Sequence, residues 1–84
     1  MDWINHILDI ADGWIDDTEK IRTGEIVNIK NPMPIQVSNN LWVIFGMIWP
    51  LWMEAHELAP ADRERFRGVL ARYETLKAKH EEAI

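Results

Sequence analysis

The chain has 84 residues, a formal net charge of −5 and no cysteine. Its length makes residues 1–84 one domain that buries only about 60 to 65 per cent of its unfolded surface, so association with a second copy is a common way to complete such a core. The acidic balance argues against direct nucleic-acid binding, which needs a basic footprint, and a chain without cysteine has neither a disulfide framework nor a thiolate nucleophile.

From the N-terminus, Trp3, Ile7, Ile10, Ala11, Trp14, Thr18 and Ile21 recur at helical spacing, with Ile4, Leu8 and Ile15 broadening the stripe. This predicts an amphipathic helix over about 3–23, stopped at Thr23-Gly24 because glycine accepts the left-handed conformation past a helix end. Gly13 weakens the pattern and could mark a turn between two shorter helices. On the opposite face Asp9, Asp12, Asp16 and Glu19 form an acidic ridge, a candidate docking face for a basic protein surface. An exposed carboxylate row lacks the enclosing geometry of a calcium site, so no metal is expected there.

Residues 25–37 contain Pro32 and Pro34, and each proline pushes its predecessor toward extended geometry. They read as an extended crossing loop, with a short strand at Ile26 to Ile29 conceivable only if another copy pairs with it. Ser38, Asn39 and Asn40 are N-cap residue types, placing the second helix at about 39–58.

The central segment is the most distinctive: no ionisable side chain occurs from Asn31 to Met53. Trp42, Phe45, Trp49, Trp52 and His56 fall on one face of the predicted helix, and Leu41, Ile44, Ile48, Leu51, Ala55 and Leu58 on an adjacent aliphatic face. Pro50 cannot donate to the Gly46 carbonyl and predicts a kink, eased by the missing side chain at Gly46. The third helix, over about 60–82, starts at Pro60 and points Phe66, Val69, Leu70, Tyr73, Leu76 and His80 inward. Arg65, Arg72 and Lys79 recur every seven residues as a basic edge, most simply paired with the acidic helix, in the same chain or a second copy.

These elements predict an all-α bundle of three helices. Chemistry-bearing groupings are sparse: His6 with Asp9, and Glu54 with His56 and Glu57, fall short of three convergent zinc ligands. There is no H-E-x-x-H, P-loop, G-x-S-x-G or dinucleotide fingerprint, so neither an enzyme nor a cofactor is expected. Met1-Asp2-Trp3 lacks the basic n-region of a signal peptide, which favours a cytoplasmic address.

If the outer helices cover only the aliphatic face, the partner-binding set is Trp42, Phe45, Trp49, Trp52 and His56. The functional expectation is a small interaction protein that forms a homo-oligomer, a dimer first, or binds and blocks a larger protein, as accessory inhibitors of phages and mobile elements do. Two rival readings are a membrane-associated protein inserting residues 41–53 shallowly, and a small enzyme with a site shared between subunits. The nearest charges after the apolar run, Glu54 and Glu57, are acidic where membrane binding favours basic ones.

Overall fold

The computed structural model describes residues 3–27 and 31–82. Three helices, α1 (Trp3–Thr23), α2 (Met33–Met53) and α3 (Pro60–Glu82), run up, down and up, with a 3₁₀ turn at Ala55–Glu57 between the last two. Each helix touches both others, and among the described residues there is no strand. Of the conceivable strand at Ile26 to Ile29, Ile26 and Val27 are irregular, and Asn28 and Ile29 lie outside the described residues.

The end of α1 follows from Gly24, whose φ of +87° takes the chain out of the helix, with the Ile26 N–H returning to the Lys20 carbonyl at 3.1 Å. Gly13 does not break the helix, which runs on through it. At the other end of the chain, Pro60 opens α3 as expected, and the Arg63 N–H closes its first turn on the Ala59 carbonyl at 2.9 Å.

The start of α2 differs from the expectation. Pro32 is its N-cap and Pro34 sits in its first turn, where a missing N–H costs nothing, so residues 33–37 are helical instead of extended. Ser38, Asn39 and Asn40 therefore lie inside the helix. Asn40 is turned inward: it accepts from Gln36 Nε2 at 2.8 Å and donates to Thr18 Oγ1 of α1 at 3.1 Å, while Thr18 donates to the Trp14 carbonyl at 2.6 Å. This buried network fixes the register of α1 against α2, because shifting either helix would leave buried polar groups unpaired.

The core has Leu8, Ala11 and Ile15 from α1, Val37, Leu41, Ile44, Ile48 and Leu51 from α2, and Phe66, Val69, Tyr73 and Leu76 from α3. The predicted aliphatic face of α2 and inward stripe of α3 are thus the buried ones. On α1 the buried stripe is displaced from the predicted one: Leu8, Ala11, Ile15 and Thr18 are buried, whereas Trp3, Ile10 and Trp14 are exposed. The apolar arc of α1 is wider than two neighbouring helices can cover. Its uncovered edge lies away from the acidic ridge, on the side flanking α2.

The helix α2 continues through Pro50 and ends at Met53, short of the predicted Leu58. Leu58, the C-cap of the 3₁₀ turn at Ala55–Glu57, is extended (φ −72°, ψ 146°), so the connection to α3 closes as that single turn. Arg63 holds that turn. Its Nε donates to the Ala55 carbonyl at 3.1 Å, and its Nη2 to the carbonyls of His56 and Leu58 at 3.2 and 3.1 Å. A lysine ammonium cannot span three carbonyls with a planar fork. Both Arg63→Ala and Arg63→Lys should therefore lower stability by about 1–2 kcal/mol in urea unfolding, with faster amide exchange in the turn. Full rescue by lysine would show that only the charge matters.

Candidate functional site

The structure divides the molecule into a charged side and an uncharged side. On the charged side the acidic ridge of α1 faces the basic edge of α3. Arg65 pairs with Asp9 and donates to Asn5 Oδ1 at 2.6 Å, Arg72 bridges Asp12 and Asp16, and Lys79 stands 4.0 Å from Glu19. Parallel helices with seven-residue recurrence on both sides bring these groups level. Glu19 also pairs with Arg22 at 2.7 Å. The Arg22 hydrogen bond is the main reason its carboxyl lies below the usual value, outweighing burial, with the charges of Arg22 and Lys79 adding to it. Asp9, Asp12, Asp16 and Glu19 are thus each engaged by cations of their own chain, with Asp9 and Asp16 still largely exposed.

The outer side of α2 is the candidate site. Trp42, Trp49 and Trp52 are 72%, 40% and 54% exposed although all three belong to the central helix. Phe45, half-buried, anchors the row: it meets Trp42 edge-on at 5.9 Å, stacks with Trp49 at 5.3 Å and reaches the core at Tyr73, 6.4 Å away. Trp49 meets Trp52 edge-on at 5.0 Å. These are favoured aromatic geometries, so the rings order one another before any partner arrives and less side-chain entropy is lost on binding.

His56 does not belong to this row. The helix that was expected to carry it stops at Met53, and His56 sits in the 3₁₀ turn, exposed, 3.7 Å from Glu57. His6 is also exposed, while its neighbour Asp9 is held by Arg65. Among the described residues no three histidine, aspartate or glutamate side chains form a group that could hold a metal.

Beside the row, a groove of about 320 Å³ runs between α2 and α3, lined by Leu41, Trp42, Phe45, Tyr73 and His80 and rimmed by Lys77 and Glu81. Burial is the main reason the Tyr73 hydroxyl titrates above its ordinary value, with Glu81 and Glu74 adding to it. The native state therefore holds this proton more tightly than the unfolded chain. The resulting stability is fully present below about pH 10 and is lost as pH rises through the higher native value. Since this is the chain's single tyrosine, its tyrosinate absorbance should appear at higher pH in the native protein than in denaturant. Coincident titrations would show that the groove is open to water at Tyr73.

Among the described residues, all the large exposed hydrophobic side chains lie on α1, α2 or their connection, and none lies on α3. The α1 edge of Trp3, Ile10 and Trp14 was missed from sequence because the helical wheel gives an arc without saying where the neighbours end. Charge gives a clue in hindsight: the acidic ridge marks where α3 docks, so apolar residues farthest from it fall on the open side. No helix among the described residues is long and apolar enough to cross a membrane. Comparison with known proteins finds no matching family model, no matching curated protein and no matching solved structure.

Proposed function

We propose that this protein is a non-enzymatic interaction module that works by stoichiometric binding, self-associating or blocking a larger protein, with the outer side of α2 as its docking face. The observation that carries this reading is the ordered row of exposed Trp42, Trp49 and Trp52, anchored by half-buried Phe45, on a helix whose aliphatic side already serves the core. Three tryptophans exposed to this extent offer roughly 250–400 Å² of apolar surface, within the range of the largest, often functional, patch on a monomer. Tryptophan is also the residue type most enriched among interface anchors.

A photo-crosslinking residue at Met53, exposed on the same side, tests the proposal in the cell that makes the protein. Protein adducts are expected from position 53 and not from exposed Glu64 on α3. Lipid adducts alone, or equal protein adducts from both positions, would overturn the reading.

A further inference from the structure

The outer side of α2 carries a repeat that its aromatic row alone does not reveal. Ile35, Asn39, Trp42, Gly46, Trp49 and Met53 follow one another at steps of four, three, four, three and four residues, and all six are exposed. This is the spacing of a coiled-coil seam, yet it faces away from the bundle's own core. From Ile35 to Trp49 large and small residues alternate along it, and the flexible Met53 ends it. At its centre, Gly46 leaves a notch that the chain's own packing does not require, because a Cβ built there meets nothing within 4 Å. The expectation that this glycine eases Pro50 is therefore unsupported by side-chain packing, and a glycine inside an exposed helix otherwise only weakens it.

Resting on the reading of this face as a docking surface, we infer that its occupant is a second copy of the chain, with α2 packed antiparallel on the partner's α2 and Trp42 seated over the partner's Gly46. The same register sets Trp49 beside the partner's Asn39, whose amide oxygen suits an indole N–H, and Ile35 beside the partner's Met53. Each large side chain then meets a smaller or flexible one, and the relation is reciprocal, as a two-fold interface demands.

Charge and area support this pairing. With no ionisable residue from Asn31 to Met53, two copies of the face meet without burying a charge. Antiparallel packing sets Glu54, just past one α2, near the positive end of the other, which has no acid in its first turn; parallel packing would set Glu54 against itself. The exposed tryptophans of α2 and the other seam residues supply the apolar centre that an interface of roughly 800 Å² per partner requires.

Sedimentation of the full chain at rising concentration tests the inference. The wild type should be a dimer at micromolar concentration. Gly46→Ala should raise the melting temperature of dilute protein by roughly 4–8 °C through helix propensity while weakening the dimer tenfold or more, and Gly46→Leu should give a folded monomer. Gly68→Ala on α3, where a Cβ also meets nothing within 4 Å, should gain stability without touching the dimer. Because the chain has no cysteine, orientation is read from Ile35→Cys combined with Met53→Cys, which should link two chains where Ile35→Cys alone does not. A wild type that stays monomeric, or a dimer indifferent to Gly46→Leu, overturns the second copy as occupant. A monomer whose position 53 still crosslinks to another protein overturns only this inference, whereas failure of that crosslink overturns the docking face itself.

Discussion

Ile44→Ala should lower the melting temperature by on the order of 10–30 °C, the larger of the two strongest effects on the fold and face of this molecule. Ile44 is fully buried at the middle of α2, on the aliphatic side where α1 and α3 converge. Removing three carbons there loses their transfer free energy and leaves a cavity that long helices cannot easily close around, a combined cost of about 2–5 kcal/mol. A domain of this size has on the order of 4–12 kcal/mol in total, and each kcal/mol is worth roughly 4–8 °C. Ile44→Val, which keeps most of the volume, should cost only about 0.5–1.5 kcal/mol. Thermal melts followed by far-ultraviolet circular dichroism measure both. An alanine variant melting within a few degrees of wild type would mean that α2 does not form the centre of the bundle.

The fold was legible where a local rule decides the structure. Gly24 ends α1 because its backbone reaches a positive φ, and Pro60 opens α3 because the first turn of a helix has no use for its missing N–H. The division of α2 into an aliphatic and an aromatic side was legible for the same reason, since 3.6 residues per turn sort side chains whatever the neighbours are.

Where two local rules compete, or a tertiary contact intervenes, the sequence is ambiguous. Ser38, Asn39 and Asn40 have the chemistry of caps, but Pro32 and Pro34 are equally able to begin a helix, and Asn40 bonds to Thr18 across the bundle instead of capping. The exposure of Trp3, Ile10 and Trp14 depends on how far α2 reaches around α1, which no window of sequence contains. Arg63 is a further case: only once the chain has turned between α2 and α3 do three carbonyls converge within reach of one guanidinium. The aromatic row of α2 was legible from composition; its register, with Gly46 between Trp42 and Trp49, becomes meaningful only because that side of the helix is open.

Trp42→Ala should do the opposite of Ile44→Ala, leaving the fold nearly intact while removing association. Most of the Trp42 ring is already in water, and its main contact within the chain is the edge-on approach to Phe45, worth about 0.5–1.5 kcal/mol. The cost to the bundle is therefore small, a shift of roughly 2–12 °C at most. An aromatic anchor seated on a partner is worth about 2 kcal/mol or more, and since each 1.4 kcal/mol is tenfold, the dissociation constant should rise by roughly 30-fold or beyond. Trp49 is a less discriminating probe, because it is more buried within its own chain and contacts both Phe45 and Trp52, so its loss mixes the two effects. Sedimentation gives the association and a thermal melt at low concentration gives the fold. If Trp42→Ala melted as far below wild type as Ile44→Ala, the ring would belong to the core, and if it associated as tightly as wild type, the aromatic row would not be the surface on which this protein acts.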